Sequence, residues 1–372
     1  MTTMPNTPFR NASFDVAKRD RFVESVMTSI NGGLKAYTIY IGDRLGYYEA
    51  LRDGQWSTAG ALADGTGTQE RYTREWLEQQ TVNGILEVED ASAPPEKRRF
   101  RLPAEHAEAL AEPDSLNFMA PLAQVFVGAA SPIGAVLEAF RTGGGVHFDG
   151  YGRDMRQGQA RINRPAFLSE LGQQWIPAMP DVDQRLRDDP PARIADIGCG
   201  SGWSSIGMAR CYPQACVDGF DLDAASVEDA QKNVAASGLS DRVEIRRHDC
   251  GDPELAGAYD LVTAFECVHD LSDPVAVLSA MGRLTAPGGA VLVADERVGE
   301  RFTAESDDVE RMMYGWSVLH CLPCGMADAP SQGTGTVMRP HTLSGYAHEA
   351  GFGRVEVLPI EHPFFRFYRL YP

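Results

Sequence analysis

Apolar residues recur at two different spacings along the chain, and the spacing changes near residue 192. Before that point they return every three or four residues, as at Phe22, Val26 and Ile30, which is typical of amphipathic helices. After it, short apolar runs alternate with helical segments, as in a parallel sheet whose strands are joined by helices. The pattern predicts a mainly helical part followed by an α/β part.

The helical part predicts a winged helix ahead of a bridging segment. The expected order is four helices and then two alternating strands, over residues 21–34, 40–51, 56–65, 69–83, 85–89 and 98–102. Helix-turn-helix followed by a hairpin is the winged-helix pattern, and the first helix is expected to end at Gly32–Gly33. Residues 1–20 are expected to form a polar arm.

The helix over 69–83 is the one that would recognise DNA in a winged helix. It carries Arg71 and Arg74 against Glu70, Glu75 and Glu78, so that it is net negative. The whole chain has a formal charge of −18, whereas binding to the nucleic-acid backbone draws on clustered Lys and Arg. Packing or dimerisation is therefore favoured for this part, and no nucleic acid is expected as a partner.

The second part predicts a doubly wound α/β sheet. Seven strands are expected, over residues 193–197, 216–222, 243–248, 260–265, 290–295, 355–359 and 364–370. Helices between the first five strands favour parallel pairing in a Rossmann-like sheet. The predicted domains are 1–140 (helical, winged helix, dimerisation and lid), 141–191 (linker with a helix from about 164 to 179) and 192–372, with an insertion over 297–339.

A glycine-rich loop follows the first of these strands. Gly198, Gly200 and Gly202 stand at alternate positions before a helical segment, and glycine lets a ligand approach the backbone closely. The dinucleotide pattern G-x-G-x-x-G would need glycine where Trp203 stands. A tight strand-to-helix turn without a ligand is the structural alternative.

Polar residues follow the next strands at the same edge of the sheet, where open α/β sheets bind ligands. Asp221 ends the second strand, and its carboxylate could accept hydrogen bonds from two ribose hydroxyls. Asp249 and Cys250 follow the third strand, where they could meet an adenine amino group. Glu266 and His269 follow the fourth strand.

In this order the motifs resemble those of the class I S-adenosylmethionine-dependent methyltransferases. DIGCGSG matches the first motif of that family, GFDLD the second, and LTAPGGAVLVADE the turn entering the fifth strand. The resemblance implies a reversed C-terminal hairpin and covers residues 192–372. The N-terminal part resembles, more loosely, that of two-domain small-molecule O-methyltransferases, in which it builds a dimer and lids the active site.

The resemblance implies a role for each matching residue. The three glycines would let the backbone approach the methionine end of S-adenosyl-L-methionine, and Asp196 would lie near its amino group. Asp221 would hold the ribose, Leu222 would pack on the adenine, and Asp249 would meet the adenine amino group. A capping carboxylate at a helix N-terminus is the structural alternative for Asp196.

His269 is the predicted general base, because VHDLSD resembles the histidine motif of plant-type O-methyltransferases. An unperturbed imidazole titrates near 6.5 and could take the proton of a phenol at neutral pH. Asp295 matches the acidic residue that orients this histidine, and Glu296 is an adjacent substitute. The chain departs from the motif at Leu271, where those enzymes carry tryptophan. A histidine that only packs or caps remains the alternative.

The insertion over 297–339 is rich in aromatic and soft side chains, as an apolar acceptor site would be. The residues expected to contact substrate are His147, Tyr151, Tyr314, Trp316, His320 and Cys321; for His147 and Tyr151, simple capping of the core is the alternative. Cys321 and Cys324 form C-x-x-C, but no second pair has a matching spacing. No metal site is predicted.

The sequence favours a cytoplasmic, homodimeric methyltransferase of secondary metabolism that acts on an aromatic or polyketide-like small molecule. Oxygen is the favoured acceptor, with carbon or nitrogen as the near alternative. A winged-helix regulator that senses the cofactor and a dinucleotide oxidoreductase are the rivals, disfavoured by charge and by Trp203. The N-terminus has no apolar signal core, no apolar run approaches a membrane span, and the seven cysteines fit reduced thiols.

Overall fold

The computed structural model describes residues 14–372, which divide into two compact units, one up to Ala111 and one over Glu112–Pro372. The boundary predicted at residue 140 therefore lies inside the second unit, because the helix over Ala120–Ala130 packs against that over Gly152–Ser169. Residues 1–13 of the predicted polar arm lie outside the described residues, and a helix begins at Val16.

The first unit is a winged helix. Its elements in chain order are α1 (Val16–Arg44), α2 (Tyr47–Ala50), β1 (Ser57–Thr58), α3 (Ala59–Thr66), α4 (Glu70–Val82), β2 (Glu87–Val88), β3 (Arg99–Arg101) and α5 (Ala104–Ala111). The three strands pair antiparallel in the order β1-β3-β2. Tyr47, Tyr48, Leu77 and Phe100 are buried in the core between these elements. The predicted winged helix is confirmed.

Helix α1 is longer than the sequence predicts. It runs through Gly32 and Gly33 without a break, although each glycine inside a helix costs about 1 kcal/mol relative to alanine. The apolar residues stay in phase across the glycines, from Val26 and Ile30 to Leu34. The prediction that the helix ends there was wrong, since a continuous hydrogen-bond ladder outweighs two unfavourable propensities.

The second unit contains the large sheet. Its elements are α6 (Ala120–Ala130), α7 (Ile133–Thr142), α8 (Gly152–Ser169), α9 (Pro180–Arg187), β4 (Arg193–Ile197), α10 (Trp203–Cys211), β5 (Cys216–Asp221), α11 (Ala224–Ala236), β6 (Val243–Arg247), β7 (Tyr259–Phe265), α12 (Pro274–Leu284), β8 (Thr285–Glu296), α13 (Asp308–Trp316), α14 (Leu322–Gly325), α15 (Pro340–Glu349), β9 (Arg354–Val357) and β10 (Phe365–Tyr371).

The strands of this sheet lie in the order β6-β5-β4-β7-β8-β10-β9. The first five are parallel, and β10 is antiparallel to both of its neighbours. The predicted seven-stranded, doubly wound sheet with a reversed C-terminal hairpin is confirmed. The carboxyl ends of β4, β5, β7 and β8 lie at one edge, where the predicted site residues follow them.

The interior of the sheet explains why the residues at this edge are buried. Val291, Leu292 and Val293 of β8 have no exposed surface, because helices cover both faces of the sheet and β7 and β10 flank the strand. Asp295 and Glu296 end the same strand and are 1% and 8% exposed. The fold therefore draws two carboxylates into a region from which water is largely excluded.

Helix α8 differs from the helix expected over about 164–179. It begins at Gly152 and passes through Pro165 before a π-helical turn over Leu171–Trp175. The polar residues of its first half, which were predicted to form a linker, therefore lie on a helix beside the sheet.

Among residues 14–372, no single helix is long and apolar enough to cross a membrane. The helices α6 and α7, which are bent relative to each other, reach the required length and apolar composition only when they are taken together.

Candidate active site

The glycine loop joins β4 to α10 in a conformation that needs glycine. Gly198, Gly200 and Gly202 all have positive φ angles, of 66°, 53° and 80°, which side chains disfavour. A Cβ on Gly198 would lie 2.8 Å from the Sγ of Cys267, whereas one on Gly200 would meet no atom within 4 Å. The loop thus packs tightly at its base and leaves open space above Gly200, where a ligand could approach the backbone.

Asp196, just before this loop, is completely buried. The hydroxyls of Ser204 and Ser205 each donate to its Oδ2 at 2.6 Å, and the Thr263 hydroxyl donates to Oδ1 at 2.9 Å. Burial raises the pKa of Asp196, while the three hydroxyl donors act to lower it. These contacts tie β4 to the first turn of α10 and to β7. A direct contact with a ligand stays a prediction.

Asp221 holds the glycine loop from the next strand. Its Oδ2 accepts a hydrogen bond from the backbone N–H of Gly200 at 2.8 Å, and its Oδ1 accepts one from that of Asp223 at 2.9 Å. Burial raises the pKa of Asp221, against these two donors. Each carboxylate oxygen can accept a second hydrogen bond, so the group can still receive two hydroxyls.

The residues predicted to surround an adenine lie at the same edge. Leu222 is 58% exposed, which leaves an apolar surface beside Asp221. Asp249 is exposed and accepts a hydrogen bond from the backbone N–H of Gly251 at 2.8 Å. Cys250 is half-buried, and burial raises the pKa of its thiol to about 12. The thiol of Cys250 is therefore neutral at physiological pH.

Glu266 is a carboxylate in a strained position. It is the one non-glycine residue among residues 14–372 with a positive φ, of 52°, a conformation that such residues rarely adopt. Two amides from α8 donate to its Oε2: Gln159 at 2.9 Å, and Asn163. Burial raises the pKa of Glu266 to about 7. The local strain and the paired amides are typical of residues at functional sites, and the contact of Glu266 with a cofactor stays a prediction.

His269 lies among three carboxylates. Its Nδ1 is 2.7 Å from Oδ1 of Asp295 and 2.9 Å from Oε2 of Glu296, and its Nε2 is 3.0 Å from Oδ1 of Asp270. The imidazole is 2% exposed. The structure thus brings together the predicted His269, Asp295 and Glu296, and adds Asp270.

This arrangement changes the expected charge of His269. Burial alone would lower the pKa of the imidazole, but the charges of Asp295, Glu296 and Asp270 outweigh it and raise the pKa well above its ordinary value. The raised pKa favours the protonated ring, whereas the prediction of a general base started from an unperturbed imidazole; the role of His269 as a base stays a prediction. The groups interact so closely that they gain and lose protons as one unit.

Part of the insertion covers His269. The backbone N–H of Gly335 donates to the carbonyl oxygen of His269 at 3.1 Å. His320 and Cys321 are buried nearby, and the His320 ring lies 4.4 Å from that of Tyr151. Burial lowers the pKa of His320 and raises that of Cys321 to about 12. Three of the predicted substrate residues, Tyr151, His320 and Cys321, are therefore close together beside the His269 cluster.

The other predicted substrate residues have partners outside the His269 cluster, although Trp316 packs against the same small core as Tyr151. Trp316 packs with the small core formed by α6, α7 and α8. The Tyr314 hydroxyl accepts a hydrogen bond from Arg339 at 3.0 Å, and Arg339 also pairs with the buried Glu310. Exposed His147 has its Nδ1 3.9 Å from Asp328. None of these contacts involves the His269 cluster, so their substrate roles stay predictions.

Sequence reasoning missed three residues of this region. Asp270 lies within the histidine motif VHDLSD, but the motif predicts no role for it. Gln159 and Asn163 fall in the segment predicted as a linker, but their spacing of four residues places them on one face of a helix. Two amides at that spacing in a polar segment were the signal that could have found them.

Comparison with protein families identifies both parts of the chain. A family described as "Methyltransferase domain" matches residues 194–289, and one described as "Rv2258c-like winged HTH domain" matches residues 33–112. A ubiquinone biosynthesis O-methyltransferase from Aromatoleum aromaticum is 30% identical over 174 residues, which are 46% of this chain and 68% of that protein. Norajmaline N-methyltransferase from Rauvolfia serpentina is 33% identical over 124 residues, 30% of this chain; the match spans only 41% of that enzyme's length.

Solved structures share the whole fold. The structure of the mitomycin 7-O-methyltransferase MmcR has a TM-score of 0.68 at 21% identity, covering 96% of this chain and 100% of that one. Human N-acetylserotonin methyltransferase, solved in complex with SAM, has a TM-score of 0.69 at 17% identity, covering 97% and 99%. At these identities the likeness concerns the fold.

Proposed function

Because the chain belongs to the S-adenosylmethionine-dependent methyltransferases, we propose that it methylates a small molecule, with an oxygen as the favoured acceptor. The observation that carries this proposal is the position of the His269 cluster. It follows β7 and β8, at the same edge of the sheet as the glycine loop after β4 and the carboxylate of Asp221 after β5. A methyl donor and a proton-accepting cluster would therefore meet at one edge.

The residues at this edge fit S-adenosylmethionine. The open space above Gly200 accommodates a ligand against the backbone, and Asp221 keeps lone pairs for two ribose hydroxyls. Leu222 offers an apolar surface for an adenine, and Asp249 an acceptor for its amino group. When bound, the cofactor supplies a methyl group made electrophilic by a sulfonium.

Two further residues act on the same ligand in this proposal. Asp196 accepts hydrogen bonds from Ser204 and Ser205 of α10, and through these it positions the glycine loop that contacts the ligand. Glu266, held by Gln159 and Asn163, offers a carboxylate toward a cationic ligand. A nearby cation would lower the pKa of Glu266, because it favours the charged form.

The proton of the acceptor would go to the His269 cluster. As the acceptor oxygen bonds to the methyl carbon and the carbon–sulfur bond breaks, the hydroxyl proton must leave. An imidazolium cannot accept it alone, but Glu296 and Asp270 lie within 3.0 Å of its two nitrogens. We propose that His269 and its carboxylates take up this proton as one unit, with Asp295 holding the ring in place.

Nitrogen is the second candidate acceptor. The charge of the His269 cluster favours it, because three carboxylates around one imidazole leave an excess of negative charge that would attract a basic amine. The relative from Rauvolfia serpentina is named as an N-methyltransferase. An amine attracted as an ammonium ion must first lose a proton, which the carboxylates of the cluster could take up. An amine that binds in its neutral form needs no base before it attacks, and only that form would depend less on His269 than a hydroxyl does.

Calorimetric titration tests the cofactor. We expect S-adenosylhomocysteine and S-adenosylmethionine to bind with one site per chain, and NADH to give no heat. Transfer of a labelled methyl group from S-adenosylmethionine is then measured with a panel of phenols, hydroxylated polyketides and amines. The proposal fails if neither S-adenosyl compound binds, and a panel in which only amines react moves the acceptor from oxygen to nitrogen.

We further propose that the chain is a homodimer that uses α1. The helix exposes a stripe of large apolar side chains, namely Phe22, Val23, Val26, Met27, Ile30, Leu34, Tyr37 and Ile41. A continuous exposed apolar surface of this kind is typical of a protein–protein contact. A second copy of the same helix is a self-complementary partner, as twofold symmetry requires.

Substituting one residue of the stripe should separate the protomers. We expect Ile30→Asp to convert the protein from dimer to monomer in analytical ultracentrifugation, since the charge would be buried in the contact. Thr28→Asp is the matched control, because Thr28 lies on the polar side of the same helix. A monomeric wild-type protein, or an Ile30→Asp variant that stays dimeric, contradicts the proposal.

We also propose a cytoplasmic location. All seven cysteines are free in the structure, and they fit a reducing compartment, where disulfides are rare.

The acceptor in this proposal is an aromatic or polyketide-like compound of secondary metabolism. The aromatic ring of Tyr151, close to the His269 cluster, would suit an acceptor of this kind.

A further inference from the structure

Glu266 lies between the glycine loop and the His269 cluster. It directly follows β7, which stands between β4 and β8 in the sheet. The next residue, Cys267, packs under the glycine loop, because a Cβ on Gly198 would lie 2.8 Å from its Sγ. On the other side, the backbone N–H of Glu266 donates to the carbonyl oxygen of Ala294 in β8 at 2.9 Å. A ligand that extends from the glycine loop toward the His269 cluster would therefore pass Glu266.

Two amides of α8 hold the carboxylate of Glu266 by one oxygen. Gln159 donates to Oε2 at 2.9 Å, and Asn163 donates to the same atom. Each carboxylate oxygen accepts about two hydrogen bonds, so the amides occupy Oε2 and leave Oε1 for a ligand. The φ of 52° at Glu266 persists only where neighbouring contacts hold it. The carboxylate is therefore oriented before a ligand binds.

These neutral partners suit a carboxylate that binds a cation. An arginine or lysine in place of either amide would neutralise Glu266, whereas an amide donates a hydrogen bond and leaves the negative charge in place. Burial raises the pKa of Glu266 to about 7, and a positive charge beside it would favour the ionised form. Glu266 can therefore supply a negative charge to a cationic ligand.

We propose that Glu266, positioned by Gln159 and Asn163, recognises the sulfonium charge of S-adenosylmethionine and so distinguishes the methyl donor from S-adenosylhomocysteine. This inference rests on the proposed function. The two compounds share the adenine, the ribose and the amino-acid part. They differ because the donor carries a methyl group and a positive charge on its sulfur. The attraction to Glu266 is absent when the sulfur is neutral.

The direction of methyl transfer brings the sulfonium near Glu266. In the proposed reaction, the methionine end of the donor lies at the glycine loop after β4, and the acceptor lies at the His269 cluster after β7 and β8. The methyl group must lie between them, and the sulfur that carries it must lie in front of the end of β7. The charge of His269 lowers the pKa of Glu266, as expected for groups that lie close together.

The same charge would help the product to leave. As the acceptor oxygen bonds to the methyl carbon, the electrons of the carbon–sulfur bond stay on the sulfur, which becomes a neutral thioether. The attraction to Glu266 then ends, while the contacts to the ribose and the adenine are unchanged. Glu266 therefore weakens competition by the product without contacting the acceptor.

Calorimetry on the purified full chain is the test. The dissociation constants of S-adenosylmethionine and S-adenosylhomocysteine are measured at pH 8, above the pKa of Glu266, and their ratio is compared among variants. We expect Glu266→Gln to weaken binding of the donor about tenfold relative to the product, which is modest for the loss of a close charge pair. Glutamine keeps an oxygen that accepts both amides. Melting temperatures verify folding.

Two further measurements separate charge and positioning from shape. An analogue in which an amine replaces the sulfonium methyl group is also cationic, and it should lose affinity in Glu266→Gln as the donor does. Asn163→Ala and Gln159→Ala should each lower the preference for the donor about threefold, because the carboxylate is then held by one amide. Their affinity for S-adenosylhomocysteine should stay within about twofold of that of the wild type.

Glu244→Gln and Gln184→Ala are the controls, and both should keep the ratio of the wild type. Glu244 is exposed near the amino end of β6, and Gln184 is exposed on α9. The inference is overturned if Glu266→Gln weakens both compounds equally, if it leaves their ratio unchanged, or if Glu244→Gln changes the ratio as much. If neither compound binds to the wild type, the proposed function fails, and this inference fails with it.

Discussion

Substituting His269 with asparagine is expected to lower the turnover of methyl transfer to a hydroxyl by about 10²–10⁴-fold, the usual cost of losing a general base. Asparagine can donate from a position near that of Nδ1, so that Asp295 keeps a partner. Asparagine has no counterpart of Nε2, and its amide cannot take up or release a proton as the imidazole does. The affinity for S-adenosylhomocysteine should stay within about twofold of that of the wild type, because Asp221 and the glycine loop are unchanged.

This result is measured by steady-state kinetics together with calorimetry. His348→Asn is the control, because His348 is exposed and its Nδ1 hydrogen-bonds the carbonyl oxygen of Ser344 within the same helix, α15. We expect the control to retain turnover. Undiminished turnover in His269→Asn would leave His269 with a packing role.

Asp221→Ala is expected to weaken binding of S-adenosylhomocysteine by about 100-fold, or about 2.7 kcal/mol. The variant removes the acceptor of the Gly200 and Asp223 backbone N–H groups and the proposed acceptor of the ribose hydroxyls. Hydrogen bonds to a charged group contribute about 1.5–3 kcal/mol. Loss of the ribose contact and loosening of the loop therefore act in the same direction.

Calorimetry on the purified variant checks this expectation, with the melting temperature as a measure of folding. Asp241→Ala removes an exposed aspartate just before β6 and should bind as the wild type does. Asp221→Asn should fall between the wild type and Asp221→Ala, since one oxygen remains to accept a hydrogen bond. Affinities within threefold for Asp221→Ala and the wild type would show that the cofactor does not depend on this carboxylate.

The sheet could be predicted from the sequence because its strands are strongly apolar and its turns are marked by glycine. The run Ile194–Ile197 before Gly198 is an example, and so is the Pro287–Gly288 turn inside β8. The continuous α1 could not be predicted in this way. Its glycine pair is a local signal to stop, whereas the phase of the surrounding apolar residues and the length of the hydrogen-bond ladder decide the outcome.

The members of the candidate site were easier to predict than their charges. His269, Asp295 and Asp221 were predicted from strand order together with the resemblance to methyltransferase motifs, and the structure places all three at one edge of the sheet. The raised pKa of His269 could not be predicted, because it depends on distances to carboxylates such as Glu296 that only the packing of β7 against β8 determines. The same holds for Gln159, which reaches Glu266 across 107 residues of sequence.

The position of β10 bears on how the protein is made. Phe365 and Arg366 pair with Glu296 and Asp295, so the strand that borders the His269 cluster is synthesised after all the other strands of the large sheet. Domains fold as they emerge from the ribosome. One edge of β8 would therefore stay unpaired until residues 365–371 have left the exit tunnel. Asp295 and Glu296 therefore gain their last neighbouring strand only after the other six strands of the sheet have been translated.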